Sequence, residues 1–547
     1  MVDHPPAIVL ATLNAKYIHA SLGLRYLLAN MARHGGDDLR ARTLLREFTI
    51  ARQPQEIVDE LLALQPAIIG FGVYIWNTMQ TCEVVRLLKV ARPDIKVVLG
   101  GPEVSHELDE QTIVKLADHV ITGWGDVSFP KLCRALLSPP RSPIACGSLP
   151  PEGAHFALGR PGGKTLPQPL MKVIAGVQPP LDEITLPYAE YSAADLAHRL
   201  LYVEASRGCP FKCEFCLSSL DKTAWAFDLD AFLAELDGLY QRGARNFKFV
   251  DRTFNLKIDA SVRILQFFLD RLSDDLFVHF EVIPDHLPDR LKDMIARFPA
   301  GVLQFEVGIQ SFNVEVQQRI SRRQDNDKTA ANLRWLVEQS QAHLHADLIF
   351  GLPGETLQSF AAGFDRLHAL GPHEIQLGIL KRLRGTPIAR RTVEHGMVYD
   401  TAPPYTVQQT AVVDAATMQR FTRLARYWDL VANSGRFAQT LPLLLRGPSP
   451  FGAFLHFADW LWSRTGETSG LTPERLVDEL FDYLTAERQL SAEPVRQTLL
   501  ADYVASGARA SPQSLRAVLP ARAAPVPRAA RTLAGRQDRH AGPKISA

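Results

Sequence analysis

LYVEASRGCPFKCEFC, residues 201–216, decides how the rest of the chain is read. A short strand-like run from Leu201 ends in polar residues and passes straight into Cys209, Cys213 and Cys216, a C-x3-C-x2-C loop. Thiolates ligate iron, and a closed iron–sulfur cluster usually takes four of them. Three closely spaced ligands hold three irons of a four-iron cluster and leave the fourth open to an outside ligand. An open position is what a catalytic metal site keeps and a structural one lacks. The alternative is a partial zinc site, which needs a fourth protein donor. His198 is near in sequence, at a spacing that matches no common zinc knuckle.

Working outward, the loop opens a series of strand-like runs: LYVEAS, NFKFVD, FVHFEVI, VLQFEVG, HADLIFG and EIQLGIL, with helical patterns between most of them. Six βα units without a closing pair predict a partial (β/α)6 barrel of the TIM type over residues 196–400. Residues 1–140 alternate in the same way. AIVLATLN (Ala7–Asn14), AIIGFGVYIW (Ala67–Trp76), IKVVLGG (Ile95–Gly101) and HVITGWGD (His119–Asp126) read as strands. Leu22–Gly35, Met79–Ala91 and Phe129–Leu137 read as helices. The pattern is an α/β fold with a Rossmann-like, flavodoxin-like parallel sheet, whose strand ends form a ligand-binding edge.

Residues 141–195, rich in Pro and Gly, read as a linker; residues 401–505 as a helical domain; and residues 506–547 as a disordered basic tail. In that helical domain Phe451, Phe454, Phe457, Trp460 and Trp462 fit core packing at helical spacing. From Arg509 onward seven Arg and one Lys face the single acid Asp538, so the net charge of +1 hides a basic tail on a mildly acidic body. No aromatic interleaves with those arginines, and no nucleic-acid partner is expected. Six cysteines in 547 residues are no disulfide framework. Cys82 and Cys133 fall in helical patterns as small buried residues, and Cys146 lies in the linker. The start of the chain lacks a signal-peptide pattern, and the longest apolar run, Ala67–Trp76, falls far short of a span of ~20 residues. A cytoplasmic location without membrane contact is expected.

From Leu201 to Arg391 the sequence resembles the radical S-adenosylmethionine (SAM) superfamily. The resemblance rests on several motifs in order. Phe215 matches the aromatic position near the adenine. NFKFVDRTFN places Asp251 and Arg252 where a strand end meets the methionine moiety. FEVGIQSFN places Glu306 and Gln310 toward the ribose and carboxylate, and DLIFGLPGET places Gly351 and Pro353 in the turn beneath the adenine. LKRLRGTPI (Leu380–Ile388) follows where related sequences carry a similar run. The resemblance implies a [4Fe–4S] cluster on the three cysteines, SAM on the open iron, and an electron donor such as flavodoxin or ferredoxin. Taken singly, Glu306, Asp251 and the turn glycines Gly351 and Gly354 are also ordinary features of strand ends and turns.

The first domain resembles the cobalamin-binding domain of one branch of that superfamily, through TLNAKYIHASLGLRYL, VVLGGPEVS and ITGWGDVSF. The resemblance implies corrin contacts from Asn14, Tyr74, Trp76, Gly100, Gly101, Gly123, Trp124 and Gly125. Tyr74 serves equally as core packing at a strand end. The D-x-H-x-x-G motif is absent, since His19 and His106 stand in other contexts. That leaves either a cobalamin with no imidazole below it or a sheet that no longer binds one. The order of the three parts resembles a family of uncharacterised bacterial proteins. Together these imply transfer of a methyl group, or related radical chemistry, at an unactivated carbon of a small molecule or peptide. Two other readings stand beside it: a cobalamin-independent radical SAM enzyme acting on RNA or protein, and a non-catalytic iron–sulfur redox protein.

Overall fold

The computed structural model describes residues 6–138, 171–221, 223–508 and 510–519. Cys146 and most of the linker and basic tail lie outside the described residues. The chain forms two compact units divided between Glu190 and Tyr191, with Tyr17–Leu22 belonging to the second.

The first unit is a six-stranded sheet of β1 (Ile8–Asn14), β2 (Thr43–Thr49), β3 (Ile68–Gly72), β4 (Lys96–Gly100), β5 (His119–Thr122) and β6 (Val173–Ala175). All neighbours are parallel and the order is 2-1-3-4-5-6, the flavodoxin-like order with one strand added. β1 reads as an unbroken apolar run because both its faces are covered. Val9, Ala11 and Leu13 pack with Ile57, Val84 and Leu88 of the helices Pro54–Ala63 and Thr78–Ala91. Ile8 and Leu10 pack with Leu24, Met31 and Phe129 of Leu22–Gly35 and Ser128–Leu137. Gly70 lets the second layer close, since a Cβ there would lie 2.7 Å from the Phe129 ring.

Three features depart from the sequence reading. The strands expected to run to Trp76 and to Asp126 end at Gly72 and Thr122. β2 and the helix Pro54–Ala63 were not expected: β2 is an edge strand with Arg46 and Glu47 in it, so its apolar period is weak. The linker supplies β6, which pairs with β5 from Val173 to Ala175.

The second unit holds β7 (Leu201–Val203), the hairpin strands β8 (Ser206–Gly208) and β9 (Ala224–Ala226), and then β10 (Asn246–Phe249), β11 (Phe277–Val282), β12 (Leu303–Gln310), β13 (His343–Phe350) and β14 (Glu374–Ile379). Strands β7 and β10–β14 form one parallel sheet in chain order, open at both edges, as the six expected βα units require. β12 shows why one face becomes a site. Leu303, Phe305, Val307 and Ile309 alternate into the buried layer, while Glu306, Gly308 and Gln310 face a cavity.

The C-terminal helices cover the β14 side. Phe421 of Ala415–Val431 stacks on Phe350 at 4.2 Å, and Trp428 Nε1 donates to the Ile375 carbonyl at 2.9 Å. Asn433 both donates to and accepts from Ile375, so the edge strand finds partners. Phe451, Phe454 and Phe457 are buried as expected. Trp462 is not core: it stays 37% exposed beneath Arg423.

Candidate active site

The cysteine loop hangs between two short strands. β8 and β9 pair antiparallel at its base, and Gly208, at φ +84°, lies so near the Thr223 carbonyl that a Cβ would sit 2.3 Å from it. Within the loop, Cys216 N donates to the Cys213 carbonyl at 3.1 Å, and Ser219 Oγ lies 3.0 and 2.7 Å from the carbonyls of Cys213 and Cys216. From outside, Glu214 N donates to the Ile320 carbonyl at 2.9 Å. The Glu214 carboxylate accepts from Ser321 at 3.0 Å and from Arg391 at 2.7 Å. Asp251 anchors the strand before the loop, accepting from Ala205 N at 2.9 Å and Ser206 Oγ at 2.6 Å. Burial pushes its carboxyl up to about 7, against those two hydrogen bonds.

All three cysteines border a cavity of about 640 Å³, within the range of small-molecule sites. Strands β10–β13 and the residues after β10 carry a polar array, of which Arg252, Glu281, Glu306 and Asp347 border the cavity. Glu306 lies 3.2 Å from Lys248 and 3.1 Å from His279; Arg252 donates to Glu281 at 2.8 Å; His345 lies 3.0 Å from Asp347. Burial opposes the charge on Glu306, but the His279 hydrogen bond and the Lys248 ammonium hold its carboxyl well below the usual range. Burial outweighs the partners at Glu281 and Asp347 and pushes both carboxyls up. Gln310 closes the array at φ +69°, where β12 slips register against β13, and its buried Oε1 has no hydrogen-bond partner among the described residues. Arg322 donates to the Gly308 carbonyl and lies 3.8 Å from Cys213 Sγ, joining this wall to the cysteine loop.

In the first unit, the strand ends of β1 and β3 flank the point where the strand order reverses. Asn14 Nδ2 donates to Glu47 Oε1 at 3.0 Å beside the buried Arg25–Glu47 pair. Tyr74 and Trp76 stack at 4.4 Å and 10°, with Trp76 47% exposed. Neither ring is core. Gly101, at φ +110°, has a turn's reason to be glycine: its Cβ would lie 2.5 Å from the Val73 carbonyl. Gly123 is exposed and nothing lies within 4 Å of where its Cβ would be. Gly100 has only the Ile121 carbonyl near, at 3.8 Å, whereas Gly125 packs on Leu27. Trp124 is half-buried.

Residues 203–367 match the radical SAM superfamily, residues 8–133 the B12-binding domain, and residues 393–523 a protein family of unknown function, DUF4080. The chain carries a radical SAM domain and a B12-binding domain ahead of a DUF4080 region. It is 24% identical over 347 residues to the cobalamin-dependent radical SAM methyltransferase TokK of Streptomyces tokunonensis, covering 60% of this chain and 48% of TokK. It is 30% identical over 258 residues to the uncharacterised methyltransferase PH0819 of Pyrococcus horikoshii, covering 46% of this chain and 53% of that protein. The chain thus spans about half the length of these curated relatives. Among solved structures, the radical SAM methyltransferase TsrM from Kitasatospora setae shares the fold, with a TM-score of 0.54 at 16% identity over 75% of this chain and 81% of TsrM.

The radical SAM match implies a [4Fe–4S] cluster and SAM, and the B12-binding match implies cobalamin. The donor set fits the cluster. Three thiols on one loop face one cavity, with burial pushing Cys209 up to about 11 and Cys213 up as well, so binding iron must displace their protons. Among the described residues no three or more His, Cys, Asp or Glu gather where one ion would bind, the three cysteines included. His198 is exposed at the end of helix Ala193–His198. A four-iron cluster asks for less convergence, because each thiolate takes its own iron. The Tyr74–Trp76 stack, with Trp76 exposed, and Gly123, with no described atom within 4 Å of its Cβ position, fit a large flat ligand. His19 belongs to the second unit, where its Nδ1 bonds Tyr202 Oη at 2.7 Å.

Of the residues expected to meet SAM, Phe215, Arg252, Glu306 and Gln310 line the radical SAM cavity with the three cysteines. Asp251, Gly351 and Pro353 do not. Asp251 is spent on the loop's anchor, and Gly351 lies against Val407 and Met418, where a Cβ would meet a methyl at 2.4 Å. Sequence reasoning missed Arg322, Glu281 and Asp347. Period-2 alternation from Glu306 through Gly308 signals the cavity face of β12; Arg322 lies beyond a helix, and no pattern marks it. No helix among the described residues is long and apolar enough to cross a membrane.

Proposed function

We propose that this chain is a cobalamin-dependent radical SAM enzyme that transfers a methyl group, or performs related radical chemistry, at an unactivated carbon. The observation that carries the reading is the single cavity that brings Cys209, Cys213 and Cys216 to the polar array of Arg252, Glu306 and Gln310. When bound, the cluster and cobalamin supply one-electron cleavage of SAM and a transferable methyl group. The protein's share is position and exclusion of water. Ser219, Glu214 and Arg391 fix the cysteine loop. Glu306, kept ionised by Lys248 and His279, presents an acceptor to hydroxyl or ammonium donors. Gln310 presents a buried, unmatched acceptor of the same kind. The one-electron donor is a small redox protein of the flavodoxin or ferredoxin type, and the setting is the reducing cytoplasm.

The test is anaerobic reconstitution with iron, sulfide and hydroxocobalamin, followed by reduction with SAM. The proposal expects retained cobalamin in the optical spectrum and formation of 5′-deoxyadenosine. Protein that makes 5′-deoxyadenosine but holds no cobalamin belongs to the cobalamin-independent class. Protein that makes none, with or without S-adenosylhomocysteine, is not this enzyme.

A further inference from the structure

Two cations on the wall of the core cavity take no part in the array described above. Arg323 follows the helix Val314–Arg319 and Lys381 follows β14; both are exposed and both border the cavity. Neither side chain has an ion-pair or hydrogen-bond partner among the described residues. The other charged groups there have close polar neighbours. Arg252 holds Glu281, Lys248 and His279 hold Glu306, His345 holds Asp347, Arg322 holds the Gly308 carbonyl, and Asp285 accepts the Asp325 N–H at 2.8 Å. Much of the remaining wall is apolar, including Phe211, Val282, Leu348, Leu377, Ile379 and Leu383.

We propose that Arg323 and Lys381 form an oxyanion-binding rim, and that the substrate is an apolar molecule carrying a carboxylate or a phosphate. This rests on the cavity being the reaction chamber. Solvated cations from two separate loops bordering one cavity attract an anion from solution and hold it by charge-assisted hydrogen bonds. The apolar wall takes the rest of the molecule, and a few polar contacts set its orientation. Held by its anionic end at the rim, the substrate presents its apolar carbons to the interior, where the cysteines lie.

The test uses three probes with one fluorophore: dansylamide (neutral), dansylglycine (a carboxylate) and O-phosphoryl-N-dansylethanolamine (a phosphate). Each is titrated into reconstituted protein saturated with S-adenosylhomocysteine, so that the co-substrate's own site is filled. At least one anionic probe should bind about tenfold tighter than dansylamide, the worth of one hydrogen bond to a charged group. Which anion wins identifies the group. The Arg323→Gln/Lys381→Gln double variant should lose that preference while keeping its iron content and its affinity for dansylamide. Equal binding of all three probes by the unaltered protein, no measurable anion binding, or a preference that survives in the double variant would overturn the inference. A preserved charge preference in protein that fails to cleave SAM would instead sink the proposed function and leave the rim standing.

Discussion

Replacing Gly208 by alanine tests whether the cysteine loop is held in shape by its base. Gly208 sits at φ +84°, a conformation that costs an L-residue about 1–3 kcal/mol. Its Cβ would also lie 2.3 Å from the Thr223 carbonyl, a backbone atom that cannot swing aside, so the β8–β9 pair must part. Forced overpacking of that kind adds about 1–3 kcal/mol. Gly301 provides the control: it has φ +87° and nothing within 4 Å of its Cβ position, so Gly301→Ala carries the conformational cost without the collision. Iron and sulfide per chain after anaerobic reconstitution, with the rate of cluster loss to a chelator, report the loop. Gly208→Ala is expected to load less than half the cluster of the unaltered protein and to lose it faster. Gly301→Ala should load it fully and be destabilised by about 1–3 kcal/mol. Equal cluster content and equal loss rates in the two variants would refute the reasoning, since the hairpin would then not set the cysteine geometry.

Arg322→Gln should keep the cluster but make its reduction potential more negative, because a cation 3.8 Å from Cys213 Sγ favours the extra electron; anaerobic electrochemistry checks the sign. The Glu306 carboxyl is held below its ordinary value near 4.5, so its stabilisation is complete above that pH and fades as pH falls toward the lowered value. Glu306→Gln should therefore be less stable than the unaltered protein by about 1.5–3 kcal/mol at neutral pH, with the gap closing below about pH 4.5 in denaturant titrations. Trp428→Phe keeps an aromatic ring against Phe364 and Phe454 but removes the bond to the Ile375 carbonyl, at a cost of about 1 kcal/mol in the unfolding of the second unit.

The parallel strands were legible because buried strands write themselves as apolar runs. All six strands of the second unit's open sheet were expected from the sequence, and the helix Leu22–Gly35 was read to the residue. β2 was not, because an edge strand carrying Arg46 and Glu47 loses the pattern that marks a buried one. β6 was hidden by its three-residue length within a Pro- and Gly-rich stretch. At the site, local spacing marked the cysteines, and the resemblance of FEVGIQSFN to a family motif marked Glu306 and Gln310, which border the cavity. Asp251 was placed near the co-substrate by the resemblance of NFKFVDRTFN to a family motif, and its hydrogen bonds to Ala205 and Ser206 are tertiary facts that no local pattern encodes. The same holds for Arg322, which reaches Cys213 across 109 residues of sequence.

The central claim is an iron–sulfur cluster on Cys209, Cys213 and Cys216 whose open iron takes SAM. Electron paramagnetic resonance of the reduced, reconstituted protein with and without SAM tests it most directly. A [4Fe–4S]+ signal whose g-values shift when SAM is added is expected, and no such signal in Cys213→Ala. A signal indifferent to SAM, or one that persists unchanged in Cys213→Ala, would contradict it.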